Sequence, residues 1–227
     1  MTRLLQTLFF VLFVKPLVAV VLGINVRGSE KLPRGGPAVL VANHNSHLDT
    51  MVLMSLFPLR MLPLLRPVAA TDYFLRNKAL AWFALNVIGI IPLDRKPGVT
   101  HQHPLQPCLD ALEHGAILIL FPEGTRGEPE EMTRFKTGIA HLAKRAPDVP
   151  ASPVFMHGCG KALPKGEALL VPHICDVNVG DPMRWSGDAA AYMQELERQF
   201  GELAAAVHPR PACSVRGEEG SDDDERV

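Results

Sequence analysis

Apolar residues fall into short runs broken by turn residues, and the runs alternate between two periods. Continuous apolar runs of four to six residues suggest buried strands, and longer stretches with apolar positions three and four apart suggest helices. On this basis strands are predicted at Ile24–Gly28, Pro37–Val41, Val68–Ala70, Gly89–Arg95, Ala116–Phe121 and Ser152–Met156, with two more within Ala168–Val179. Helices are predicted at Thr50–Phe57, Asn77–Ile88, Pro104–His114, Met132–Arg145 and Asp188–Val207. Strands alternating with helices predict an α/β fold: a mixed, largely parallel sheet flanked by helices.

Residues 4–24 stand apart as a strongly apolar stretch interrupted by Lys15-Pro16. As one helix it would be roughly 32 Å long, near the hydrocarbon thickness of a bilayer. A lysine at mid-bilayer costs about 2.5–3.5 kcal/mol on insertion scales, and proline kinks a helix. Basic residues flank both ends: Arg3 before the stretch, and Arg27, Lys31 and Arg34 after it. The expectation is therefore two short helices lying in one leaflet, with a single span as the alternative and a cleaved signal peptide as the weakest reading. The chain then divides into a membrane-associating helical segment (1–24), a catalytic domain (25–207) and a disordered acidic tail (208–227) rich in Pro, Gly and charge.

The formal net charge is −1, but residues 1–100 hold 11 Lys/Arg against 4 Asp/Glu while the remainder holds 12 against 20. A basic half beside apolar segments suits anionic headgroups or a phosphorylated substrate, at a membrane's cytoplasmic face, and gives no reason to expect nucleic acid. Cys108, Cys159, Cys175 and Cys213 lack the close spacing of a zinc or redox pair, so free thiols are expected. His101 and His103 have no carboxylate or cysteine nearby, and no metal is expected.

The chemistry centres on Asn43-His44-Asn45-Ser46-His47-Leu48-Asp49, between a strand and a helix. Ser46 and Asp49 form a helix-start pattern, with Ser46 as cap and Asp49 in the first turn. His44 then lies in the turn just outside the helix. Five residues apart on one helix, the two side chains would diverge by about 140°; across a turn the carboxylate can meet the imidazole. An imidazole oriented by a carboxylate is a general base for a hydroxyl.

Three further segments follow: Gly89-Ile90-Ile91-Pro92-Leu93-Asp94-Arg95, Phe121-Pro122-Glu123-Gly124-Thr125-Arg126 and Val149-Pro150-Ala151-Ser152-Pro153-Val154. In this order and spacing the four resemble the motifs of the 1-acylglycerol-3-phosphate acyltransferase (glycerophospholipid acyltransferase) family, from about Ile24 to Pro182. Asn45 stands where that family often has Gln, and Pro92 where it often has an aromatic or apolar residue. The resemblance implies catalysis by the first motif, acceptor-phosphate binding by the second and third, and support of the acyl-donor side by the fourth. His44 is then the base, held by Asp49. Arg95 and Arg126 are the phosphate candidates, with a salt bridge to Asp94 as the alternative for Arg95. Gly124 admits close backbone approach, Thr125 belongs to the same binding run, and Glu123 orients Arg126 or the acceptor. Lys136 adds charge or is an exposed helix lysine.

The implied reaction needs no cofactor. It takes an acyl thioester, acyl-CoA or acyl carrier protein, as co-substrate and lysophosphatidic acid as acceptor. Another lysolipid such as a lyso-ornithine lipid, or a non-catalytic lipid-binding module, are the competing readings. A hydrolase is disfavoured because no Gly-x-Ser-x-Gly elbow occurs.

Overall fold

The structure is a computed structural model that describes residues 2–46, 48–71, 77–94, 103–124, 132–162 and 171–207. Seven strands are described: β1 (Leu22–Arg27), β2 (Ala38–Ala42), β3 (Leu65–Ala70), β4 (Ile91–Leu93), β5 (Ile117–Leu120), β6 (Ala151–His157) and β7 (His173–Val179). They form one sheet in the order β1-β7-β6-β2-β5-β3-β4. Every neighbouring pair is parallel except β6–β7, so β1 and β7 run against the other five. The expected mixed, largely parallel α/β sheet is therefore present.

The central strands read as continuous apolar runs because both their faces are covered. Leu40, Ala42, Ile117, Ile119, Val154 and Met156 point to one layer, where Phe10 and Val14 of the N-terminal helix meet Val52 and Leu53. Val39, Val41, Leu118, Leu120 and Phe155 point to the other, against Leu112, Ile139, Leu196 and Phe200. The period of two along each strand thus builds two separate cores from one sheet.

The helices are α1 (Thr2–Phe9), α2 (Lys15–Val20), α3 (Leu48–Ser55), α4 (Lys78–Phe83), α5 (Gln106–Glu113), α6 (Gly138–Arg145), the short α7 (Cys159–Ala162) and α8 (Ala189–Val207). The first two are joined by a π turn, Phe10–Val14, into one continuous helix. This corrects the expectation of two short helices. Pro16 has no N–H to give, and its ring crowds the preceding turn. The wide turn, in which the Lys15 amide reaches the Phe10 carbonyl, absorbs that misfit without ending the helix. The span Arg3–Val20 is long and apolar enough to cross a membrane by length and composition.

Two other expectations are revised. Residues 132–137 precede α6 as an irregular arm rather than its first turns, for a reason that lies in the site. β3 begins at Leu65, pairing with β5 through Leu65–Pro67 and with β4 through Val68–Ala70. Arg66, on that strand, donates from Nε to the Gly89 carbonyl at 2.7 Å, and burial lowers its pKa. It braces the β3–β4 crossover, while Arg60 remains exposed. The second strand expected before His173 and the acidic tail fall outside the described residues.

Candidate active site

The carboxyl ends of β2, β5, β3, β4 and β6 share one edge of the sheet, since these strands are mutually parallel. Ligand sites of open α/β sheets collect at such an edge. β2 ends at Ala42, and the turn that follows carries His44 to the start of α3.

The imidazole Nδ1 of His44 lies 2.9 Å from Asp49 Oδ2. That oxygen also accepts the amides of Asn45 at 2.6 Å and Ser46 at 2.7 Å. The bond to Ser46 is the back-reaching half of a capping arrangement, and the Ser46 hydroxyl in turn accepts from the Leu48 amide at 3.3 Å. Local capping chemistry therefore bends the turn until the carboxylate faces the ring. His47 falls outside the described residues. Asp49 is fully buried. Burial raises its pKa, while the His44 ring and the amides of Ser46 and Asn45 oppose that rise. With two amides already on Oδ2, the third partner must also donate, so Nδ1 carries its proton toward Asp49 and Nε2 is left as the basic nitrogen.

Three features hold the ring and its turn. His44 stacks on Phe121, with centroids 4.1 Å apart and planes 20° apart. The His44 amide donates to Glu123 Oε1 at 2.8 Å. Asn43 bonds the Met156 backbone twice, donating from Nδ2 to the carbonyl at 2.8 Å and accepting the amide at 2.7 Å, and Asn45 Nδ2 reaches the same carbonyl at 2.9 Å. The turn is thus tied to α3 below it, to the loop after β5 on one side and to β6 on the other. His44 keeps 19% side-chain exposure.

Glu123 is buried. Its other oxygen, Oε2, accepts from the Thr133 hydroxyl at 2.7 Å and the Thr133 amide at 3.1 Å. The Lys136 amide donates to the Pro122 carbonyl at 2.9 Å. These bonds explain why helix α6 begins late: backbone donors that would open it are committed to the loop after β5. Gly124 adopts φ +74°, and a Cβ there would lie 2.6 Å from Lys136 Nζ. The exposed lysine therefore lies over the glycine, its ammonium at the loop. Arg95, Thr125 and Arg126 lie outside the described residues. The structure thus brings together His44, Asp49, Glu123, Gly124 and Lys136 of the predicted set. It adds Phe121 and Thr133, and it gives Asn43, a residue expected to position the turn, and Asn45 a shared partner in Met156, too far away in sequence to carry a local signal. Among the described residues there is no group of three or more His, Cys, Asp or Glu side chains able to hold a metal ion.

The family model described as Acyltransferase matches residues 23–157, more than half of the chain and all of the edge just described. The chain belongs to this acyltransferase family. It is 30% identical over 200 residues to the 1-acyl-sn-glycerol-3-phosphate acyltransferase of Pseudomonas aeruginosa, covering 85% of this chain and 74% of that one. It is 32% identical over 151 residues to the chloroplastic 1-acyl-sn-glycerol-3-phosphate acyltransferase of Arabidopsis thaliana, covering 66% and 40% respectively. The human 1-acyl-sn-glycerol-3-phosphate acyltransferase alpha is 31% identical over 167 residues, covering 72% and 56%. The chain thus spans about two-fifths to just over half of these last two relatives. The fold is that of the crystal structure of the 1-acyl-sn-glycerophosphate acyltransferase PlsC from Thermotoga maritima, with a TM-score of 0.71 at 20% identity, over 92% of this chain and 81% of that one.

Proposed function

We propose that this acyltransferase-family chain moves a fatty acyl group from an acyl thioester to the free hydroxyl of 1-acylglycerol-3-phosphate, giving phosphatidic acid. The observation that carries the reading is the His44–Asp49 pair, bonded at 2.9 Å and set at the carboxyl edge of the sheet. His44 Nε2 takes the proton of the glycerol hydroxyl as its oxygen attacks the thioester carbonyl carbon. Asp49 stabilises the imidazolium that forms. The tetrahedral intermediate collapses, the carbon–sulfur bond breaks, and Nε2 returns the proton to the departing thiolate. The hydroxyl comes from the substrate, so no residue of the chain becomes acylated.

The acceptor phosphate needs cations. Lys136, at the Gly124 loop, supplies one beside the site. Arg95 and Arg126 are proposed as guanidinium partners, on their positions in the second and third motifs and on the fit of a planar fork to phosphate oxygens. Either acyl-CoA or acyl carrier protein serves as donor, with no further cofactor. The acceptor and product are membrane lipids, and the protein works on the cytoplasmic face of a membrane. The N-terminal helix supports that location by its packing: Phe10 and Val14 are buried against the domain, while Leu4, Leu8, Leu12 and Phe13 face outward. A helix bound along its length to a globular domain suits residence in one leaflet better than a span.

The test is acyl transfer by the purified protein, offered oleoyl-CoA or oleoyl acyl carrier protein with a panel of lysolipids and read by lipid mass spectrometry. Phosphatidic acid formed by the wild type and lost in His44→Ala is the expected result. Undiminished product from His44→Ala overturns the mechanism. Acylation of a phosphate-free lysolipid in preference to lysophosphatidate, insensitive to Arg95→Ala, overturns the acceptor.

A further inference from the structure

The helix preceding β4 has no role in the chemistry above, yet it is built in an unusual way for a surface helix. It runs from Lys78 through α4 and a second π turn, Ala84–Ile88. On its inner side Ala84, Val87 and Ile88 are buried, while Leu80, Trp82 and Leu85 are exposed, Trp82 at 54%. Both ends of its backbone are closed. Asn77 Oδ1 accepts the amides of Ala79 at 2.9 Å and Leu80 at 3.4 Å. At the other end the amides of Gly89 and Ile90 both reach the Ala84 carbonyl at 3.0 Å. Asn86, the polar residue of the turn, returns its Nδ2 to the Trp82 carbonyl at 2.8 Å. A helix with capped ends and an apolar outer face loses little by leaving water, because few backbone groups need it.

This helix lies beside the N-terminal one. Phe83 meets Phe9 edge to face at 5.0 Å, and Gln6 Nε2 donates to the Ile88 carbonyl at 3.4 Å. The two therefore share an inner seam, and each turns large apolar side chains away from it: Leu4, Leu8, Leu12 and Phe13 on one, Leu80, Trp82 and Leu85 on the other. The exposed charges on the two helices themselves have one sign. Residues 2–29 and 77–93 contain no Asp or Glu, whereas Arg3, Lys15 and Lys78 are exposed. An apolar face whose two helices carry only cations fits a bilayer with anionic headgroups better than an acidic protein partner, and tryptophan favours the headgroup boundary.

We propose that the helix from Lys78 to Ile88 is a second membrane-contacting element, with Leu80, Trp82 and Leu85 entering the same leaflet as the outer face of Arg3–Val20. The inference rests on the lipid-surface location argued above but not on the reaction. It also has a consequence for acceptor delivery: the embedded helix leads directly into β4, whose carboxyl end lies on the catalytic edge of the sheet.

The experiment uses full-length protein carrying Trp185→Phe, so that Trp82 is the remaining tryptophan. It is mixed with vesicles of phosphatidylcholine and phosphatidylglycerol, 3:1, with plain or brominated acyl chains. Trp82 emission is expected to shift to the blue on binding and to fall at least twofold with brominated chains. Leu80→Gln/Leu85→Gln is expected to partition at least tenfold more weakly, with an unchanged circular-dichroism melt. Protein that binds vesicles with Trp82 unquenched, a double variant that binds as the parent does, or a parent that does not partition at all would each overturn the proposal. Quenching of Trp82 in a protein that shows no acyl transfer in detergent would leave this inference standing and bring down the proposed reaction instead.

Discussion

Glu123 holds the backbone of His44, 79 residues away in sequence, by a 2.8 Å bond from the His44 amide to Oε1. The same carboxylate grips Thr133 through Oε2. The 43–49 turn, the loop after β5 and the arm before α6 are thereby one connected unit, and a change in the arm should reach the imidazole.

Thr133→Val removes the hydroxyl bond to Glu123 while keeping the amide bond and the side-chain volume. A hydrogen bond to a charged group contributes roughly 1.5–3 kcal/mol. If about half is felt at the transition state, kcat falls roughly four- to thirteenfold. The expected pattern is lower kcat, unchanged KM for both substrates, and recovery in Thr133→Ser. Unchanged kcat in Thr133→Val would contradict the coupling.

Asp49→Asn keeps an acceptor for the Asn45 and Ser46 amides, so the turn should hold. It lacks the negative charge that stabilises imidazolium and no longer selects the Nδ1–H tautomer. Turnover is expected to drop by about 10³–10⁴, the scale seen when a buried aspartate is removed from a comparable dyad. Pre-steady-state acyl transfer together with a thermal melt separates this loss from unfolding.

Gly124→Ala places a Cβ at a left-handed φ of +74° and 2.6 Å from Lys136 Nζ. The backbone cost is about 1–2 kcal/mol, or roughly 2–8 °C in Tm for a domain of this size. Lys136 must also swing off the loop. The acceptor KM should therefore rise more than kcat falls, and the shift should shrink as ionic strength rises and screens the lysine.

Tyr192 is buried against Trp185, and its hydroxyl has no hydrogen-bond partner among the described residues. Burial pushes the phenol up to about 12. Tyr192→Phe deletes a desolvated polar atom without opening a cavity, so it should leave stability unchanged or raise it by about 1–2 kcal/mol. A denaturant titration that returns a clearly lower midpoint would contradict this.

Cys108 and Cys175 are buried and free. Burial pushes the Cys108 thiol up to about 12, so below that pH it stays protonated and unreactive. In native protein at pH 8, peptide mapping after iodoacetamide should find Cys108 unmodified, with full labelling once denaturant is added.

The strands, the α/β class and the His44–Asp49 contact were legible in the sequence because hydrophobic period and capping are set by neighbours close along the chain. Strand periodicity decides which face a residue covers, and capping decides how the 43–49 turn bends. The start of α6 was not legible, because a competing partner, the loop after β5, takes the donors at Thr133 and Lys136. The unbroken N-terminal helix was missed because the local rule for proline does not register a π turn that absorbs it. The placement of Arg95, Thr125 and Arg126 lies outside the described residues.

By itself the sequence determined the fold class, the family motifs, the meeting of His44 with Asp49 across one turn, and the basic, apolar character of the first half. Tertiary structure alone decided what holds His44 and its turn in place: the bonds from Glu123 to the His44 amide and from Asn43 and Asn45 to Met156, and the seam that sets Phe83 against Phe9. Those contacts join residues many tens of positions apart, and no short-range propensity encodes them. They exist because folding the sheet brings its strand ends to one edge, where polar groups from separate loops come within hydrogen-bond distance.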